Sequence, residues 1–111
     1  MVDFCLLVET QVLYVHGDGE DLETMFIYLL QNSMETADPE EPLIRIWSRP
    51  WQREASFVEV EIFNTGKPPE PEEMDHLFVP FYSSKPYGTG FGLPIAQLAA
   101  RKNLGDIYLE P

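Results

Sequence analysis

Between Leu22 and Ala37 the residues Leu22, Met25, Phe26, Leu29, Leu30, Ser33 and Ala37 recur at spacings of 3, 1, 3, 1, 3 and 4. At about 100° per residue they fall along one stripe of a helix. A helix that is apolar on one side only has little stability alone and must bury that stripe against a second layer. The chain supplies candidates for that layer. Leu43–Arg49 and Phe57–Phe63 read as two strands, and in the second Val58, Val60 and Ile62 alternate with Glu59 and Glu61. Arg53-Glu54-Ala55-Ser56 lies in the connection, so an antiparallel hairpin is expected. The helix also has its start and stop signals. Gly17-Asp18-Gly19 is a turn with Asp18 as N-cap and Asp21 three residues on, and Asp38-Pro39 ends the helix near Ala37.

The remaining elements follow from local chemistry. Val12–His16 reads as a short strand, and Asn64-Thr65-Gly66 ends the second hairpin strand with a turn. Lys67–Pro71 is Pro-rich, and a short helix is expected around Glu72–Leu77. Ser83–Gly92, with Pro86, Gly88, Gly90 and Gly92, reads as a loop. Leu93–Lys102 is a second long helix closed by Asn103-Leu104-Gly105, and Ile107–Leu109 begins a last strand. The order predicts an α+β fold over residues 1–111 as a single domain. It is a two-layer α/β sandwich, a mixed sheet with helices on one face.

Charge and composition remove several function classes. Seven Lys and Arg stand against 19 Asp and Glu, a net charge of −12, and residues 1–44 contain no Lys or Arg. No basic stripe exists to neutralise phosphates, so no nucleic-acid partner is expected. An anion would have to be bound locally, by backbone N–H groups, a metal ion or a single Lys. Apolar runs such as Phe4–Val8 are far short of the roughly 20 residues of a membrane helix, so no membrane insertion is expected. Cys5 is the only cysteine. An intramolecular disulfide is therefore impossible, and a cytoplasmic setting is expected.

Three constellations could carry chemistry. Asn32 falls at the edge of the helical stripe, with Tyr28 four residues before and Glu35 three after; an amide there could offer its oxygen to a hard cation, or simply bond water. Asn64-Thr65-Gly66 offers a short acceptor side chain before a Gly that lets backbone come close, or it is only a turn. In Lys85–Leu93 the alternating Gly88, Gly90 and Gly92 open directly into a helix. Their backbone N–H groups can converge on a phosphate, the helix dipole favours negative charge, and Lys85 can reach the same anion. No Lys-Ser/Thr follows the last Gly, so this is not a Walker A loop.

Taken in order, these segments resemble the ATP-binding domain of sensor histidine kinases, within the Bergerat-type (GHKL) ATPase superfamily. LLQNSMETA (Leu29–Ala37) is similar to the family's N box, and VEIFNTG (Val60–Gly66) to its G1 box. FVPFYSSK (Phe78–Lys85) is similar to its F box and short ATP lid, and GTGFGLPIA (Gly88–Ala96) to its G2 box. The resemblance runs from about Leu13 to Leu109. It implies Mg-ATP held between sheet and helices in a Bergerat-type fold. By this resemblance Asn32 matches the Mg²⁺-coordinating Asn. Asn64 stands where an Asp accepts a hydrogen bond from the adenine amino group, and Gly66 lets the base seat. Gly88, Gly90 and Gly92 match the triphosphate cradle, with Thr89 as its hydroxyl and Phe91 and Leu93 in the same box. Phe81 matches the aromatic anchor of the lid, and Lys85 closes that box.

The departures from the family pattern define further expectations. Tyr28 occupies the position one turn before Asn32 where an Asn or Glu is usual. ATP-hydrolysing cousins keep their general base there, so hydrolysis to water should be inefficient. Glu35 stands where Lys or Arg is common, Asn64 replaces Asp, and Pro68 replaces the second G1 glycine. Closing strands beyond Ile107–Leu109 are not seen, so the expectation is either that another segment covers that sheet edge or that the fold is a version trimmed at the C-terminus. Val2–Val8 is expected to cover the open sheet edge, with pairing to a second copy, as a homodimer, the alternative. Neither His16 nor His76 has the His-Glu or His-Asp context of a phosphoacceptor. The resemblance therefore implies a histidine kinase catalytic domain that phosphorylates a His on a helical-hairpin domain, in cis or in trans, upstream of a response regulator. No residue is singled out as catalytic. The alternatives are a degenerate nucleotide-binding or docking module that regulates a kinase or response regulator, and a serine kinase of the anti-sigma type.

Overall fold

The computed structural model describes residues 5–10, 13–79 and 92–110. In chain order they form β1 (Cys5–Thr10), α1 (Gly19–Thr36), β2 (Leu43–Pro50), β3 (Val58–Asn64), α2 (Pro71–Met74) and α3 (Gly92–Lys102). The chain divides into two compact units, residues 1–16 with 33–67, and residues 17–32 with 68–111.

The first unit holds the sheet. Its order is β1-β2-β3, with β1 parallel and β3 antiparallel to β2, so the sheet is mixed as expected. The hairpin register sets the two faces. Ile44, Ile46 and Ser48 pair with Asn64, Ile62 and Val60 on one face, and Ile44 there is only 3% exposed. Arg45, Trp47 and Arg49 pair with Phe63, Glu61 and Glu59 on the other. On that second face Arg49 reaches both glutamates, its Nε donating to Glu59 at 2.8 Å and its Nη2 to Glu61. The Arg45 guanidinium lies 5.1 Å from the centre of the Trp47 ring. The hairpin end is closed by Trp51 N–H donating to Phe57 O at 2.9 Å and by their edge-to-face rings, 5.9 Å apart.

Two expected strands are corrected. Leu13–His16 is not a strand, and Tyr14 there is 89% exposed. The strand of this region lies upstream at Cys5–Thr10, where Cys5 to Thr10 pair in register with Leu43 to Ser48. Only one segment can occupy that edge of β2, and the longer apolar run takes it. The N-terminal run thus enters the sheet as an edge strand. Ile107–Leu109 is also not a strand. The Asp106 carboxylate accepts the N–H of Ile107 at 2.8 Å, a local bond that competes with a ladder.

The second unit holds the start of α1, α2 and α3. Asp18 caps α1 as predicted, its carboxylate accepting the N–H of Asp21 at 3.0 Å. The predicted stripe holds: Leu22, Met25, Phe26, Leu29 and Leu30 are half-buried, whereas Glu23, Ile27 and Gln31 on the other side are exposed. Pro71 opens α2, where the missing N–H costs nothing. On α3 the buried residues are Leu93, Ala96, Ala99 and Ala100, and the three alanines are small side chains that let neighbours come close. Its end is a Schellman motif, with Gly105 N–H donating to Ala100 O at 2.9 Å and Leu104 N–H to Arg101 O at 3.1 Å. The residue in the left-handed region is Leu104, at φ 64°, rather than the neighbouring glycine. No helix among the described residues is long and apolar enough to cross a membrane.

Candidate functional site

In the first unit the turn after β3 is built around Thr65. Its hydroxyl donates to Glu41 O at 2.8 Å and accepts the N–H of Leu43 at 3.1 Å and of Asp38 at 3.3 Å. One donor and two acceptor positions are thus all used. Thr65 N–H also donates to Leu43 O at 3.0 Å. The turn is thereby laced to the segment that joins α1 to β2.

Asn64 and Gly66 flank that hub. The Asn64 side-chain amide donates to Thr65 O at 2.8 Å, which fixes the nitrogen toward the turn and leaves Oδ1 as its acceptor. Gly66 has φ 114°, and a Cβ built there would lie 2.2 Å from Thr36 O and 3.2 Å from Asp38 N. Only glycine fits, both for its backbone angle and for the close approach to the end of α1. The reason is one of packing, and it holds with or without a ligand.

In the second unit Asn32 is half-buried on α1 and Leu93 is buried in the first turn of α3. A Cβ on Gly92 would stand 3.4 Å from the Tyr28 ring, ordinary contact with no severe clash. Tyr28 therefore lies against the start of α3. Glu35 is exposed. Phe81, Lys85, Gly88, Thr89, Gly90 and Phe91 lie outside the described residues. Among the described residues no group of three or more His, Cys, Asp or Glu is placed to hold a metal ion.

Sequence reasoning missed two residues. Thr65 was passed over as part of a turn, although a hydroxyl before a glycine at a strand end is a signal for backbone capping. Asn103 was read only as a helix terminator. Its Oδ1 accepts the N–H of Asp18 at 2.7 Å and its Nδ2 donates to Ala99 O at 2.8 Å.

Comparison with known proteins covers the elements from α1 onward. Residues 17–111 match the family described as Histidine kinase-, DNA gyrase B-, and HSP90-like ATPase. The chain is 29% identical over 102 residues to sporulation kinase C of Bacillus subtilis, covering 92% of this chain and 23% of that protein. Among solved structures, the mycobacterial sensor histidine kinase MprB superposes with a TM-score of 0.79 at 24% identity, covering 90% of this chain and 64% of the other. The catalytic domain of histidine kinase ThkA superposes with a TM-score of 0.74 at 30% identity, with the same coverage. The α+β assignment is the fold of these neighbours, and the chain spans only part of each protein it matches. With the family profile running through both units, from the Asp18 cap to the last residue, the chain belongs to the histidine kinase-, DNA gyrase B- and HSP90-like ATPases, in the form found in sensor histidine kinases.

Proposed function

We propose that residues 1–111 act in the cytoplasm as the ATP-binding catalytic domain of a histidine kinase, transferring the γ-phosphate of ATP to a histidine on a separate helical-hairpin domain or chain. The observation that carries this is the family match over residues 17–111, with the four boxes in order along it. The curated relative of which this chain spans 23% is a kinase, which supports a catalytic part working with other parts. A response regulator is the expected next acceptor.

In this reading Asn64 Oδ1 accepts from the adenine amino group and Gly66 keeps the turn flat beside the base. Gly88, Gly90 and Gly92 present N–H groups to the phosphates, with Thr89 and Lys85 adding a hydroxyl and a charge. Phe81, Phe91 and Leu93 supply apolar support. Asn32 offers an amide oxygen to Mg²⁺. A single neutral oxygen suits a hard cation that arrives on the nucleotide and keeps phosphate and water ligands. Bound Mg²⁺ would offset the phosphate charge during transfer.

Tyr28 shapes what the domain does with ATP. A phenol is a poor general base at neutral pH, and this one lies against the first turn of α3. Water is then a poor acceptor, and phosphoryl transfer waits for a partner histidine. His16 and His76 are both exposed, and neither stands on a long helix in the His-Glu or His-Asp context of a phosphoacceptor.

Titration with ATP and ADP, with and without Mg²⁺, tests the binding step. Incubation with γ-labelled ATP, alone and with a helical-hairpin partner, tests the transfer. Acid-labile label on the partner and none on this chain is expected. Nucleotide binding without transfer to any hairpin would favour a docking module, a reading motivated by Tyr28 and Glu35. Label on a partner serine would place the domain with anti-sigma kinases.

A further inference from the structure

Asn103 joins α1 to α3 at one end, and the joint uses every part of its amide. Oδ1 accepts the N–H of Asp18 at 2.7 Å, while Nδ2 donates to Ala99 O at 2.8 Å and to Asp21 Oδ2 at 3.4 Å. Exchanging oxygen and nitrogen would set donor against donor and acceptor against acceptor, so one orientation is enforced. Asp21, at the N3 position of α1, does not reach back to the Asp18 N–H as in a capping box; Asn103 takes that place. Gly17 makes room for it. A Cβ there would stand 3.0 Å from Asn103 Oδ1 and 3.0 Å from Leu22 Cδ1. Lys102 Nζ, 3.7 Å from Asp21 Oδ1, sets the basic last turn of α3 against the acidic first turn of α1.

The other end of α3 meets α1 again, where Gly92 lies against Tyr28. At about 1.5 Å per residue, Asp18 to Tyr28 covers roughly 15 Å of α1 and Gly92 to Asn103 roughly 16 Å of α3. The two contacts are therefore matched in length along antiparallel helices. A shift at the Asn103 joint is transmitted along a rigid helix to Gly92.

We propose that Asn103 is a positioning residue for nucleotide binding. It fixes α3 lengthwise on α1, and so sets where the first turn of α3, which continues the glycine-rich segment, stands beside Tyr28. This rests on the nucleotide-binding reading above. Asn103 touches no nucleotide and acts only through α3.

The test must separate positioning from plain stability, and Leu104 provides the means. Leu104→Gly relieves the left-handed strain at φ 64° and leaves the Asn103 bonds alone. ADP affinity and Tm are measured on the full chain for wild type, Asn103→Ala, Leu104→Gly, Gly17→Ala and the Asn103→Ala/Leu104→Gly pair. Asn103→Ala should lower Tm and weaken ADP binding by roughly tenfold, the scale of a loosened coupling element. The pair should regain Tm while binding stays weak. Gly17→Ala, which crowds Asn103 from the other side, should weaken binding in the same way and stands in if Asn103→Ala does not fold. Affinity that returns together with Tm, or never falls, overturns the proposal. A second readout needs no nucleotide: the through-space proton contact between the Tyr28 ring and Gly92. Its loss in the paired variant supports the proposal and its persistence unchanged overturns it. A wild type that binds no ADP refutes the nucleotide reading alone, and the Tyr28–Gly92 contact then decides the role of Asn103.

Discussion

Gly66→Ala should damage the fold before it damages any ligand site. A methyl carbon at residue 66 would sit 2.2 Å from Thr36 O, whereas nonbonded heavy atoms rest at about 3.5 Å, so roughly 1 Å of movement is required. The neighbour is backbone at the end of α1, and it has little freedom. Ala37 N–H is bound to Ser33 O at 2.9 Å, and Asp38 N–H to the Thr65 hydroxyl at 3.3 Å. Moving the turn instead pulls Thr65 from Glu41 and Leu43. Overpacking of this kind costs about 1–3 kcal/mol. Forcing a Cβ to a positive φ costs about 1–2 kcal/mol more. The sum, about 2–5 kcal/mol, is a large share of the 5–15 kcal/mol that holds a domain of this size. Thermal and urea unfolding of the two proteins measure it, and Tm should fall by roughly 10–20 °C. Gly19→Ala is the internal control. It opens α1 with nothing within 4 Å of the added carbon, so it should be neutral or stabilise by about 0.5 kcal/mol. A Gly66→Ala protein within 1 kcal/mol of wild type, by the same scale of effects, would refute the packing account.

Asn32→Ala should weaken Mg-ATP binding by about 1–3 kcal/mol, the scale of a lost bond to a charged partner, with a smaller effect on Mg-free ADP; calorimetry checks both, and equal affinities refute the assignment. Deleting residues 1–9 removes most of β1 and exposes the edge of β2, so aggregation or unfolding is expected by light scattering and circular dichroism. A deletion variant that stays monomeric and equally stable shows that β1 is dispensable. Asn64→Asp should tighten ADP binding and sharpen preference for adenine over guanine while lowering stability, with both read by titration and Tm.

Helix α1 was legible almost to the residue because three local signals agree there: the apolar stripe, the Asp18 cap and the Asp38-Pro39 stop. The hairpin was legible for the same reason, since period-two strands flank a polar connection. The N-terminal run was legible as the cover of a sheet edge, though the strand is Cys5–Thr10 rather than Val2–Val8. The expected strand at Val12–His16 failed because only tertiary competition for the edge of β2 decides between two β-capable segments. The last expected strand does not form, and the Ile107 N–H that a ladder would use is held locally by the Asp106 carboxylate. In the site, Asn64 and Gly66 stood out only because four family-like boxes occur in order; alone, an acceptor before a glycine at a strand end reads as a simple turn. The tie of Thr65 to Asp38, Glu41 and Leu43, 22–27 positions away, was passed over despite the local signal of a hydroxyl before a glycine, whereas nothing local marks the bond of Asn103 to Asp18, 85 positions away.

The double employment of these residues decides which experiments are informative. Gly66 is demanded by packing against Thr36 and is also proposed to seat the base, so loss of ATP binding in a Gly66 variant would say nothing about the base. Asn64 differs because its two roles respond to substitution with opposite signs. Its nitrogen donates to Thr65 O at 2.8 Å, and a carboxylate in its place loses that bond and faces a carbonyl oxygen. The cost to stability is about 1–3 kcal/mol. Its oxygen is the proposed adenine acceptor, and a charge there strengthens the bond roughly twofold in energy. Folding alone therefore predicts that Asn64→Asp lowers Tm and weakens binding together. A seated adenine predicts that Tm falls while affinity for ADP rises and affinity for GDP does not. No loss of structure can raise affinity for one base selectively, so that divergence would place the adenine at Asn64. A parallel fall in Tm and in affinity for both nucleotides would remove it.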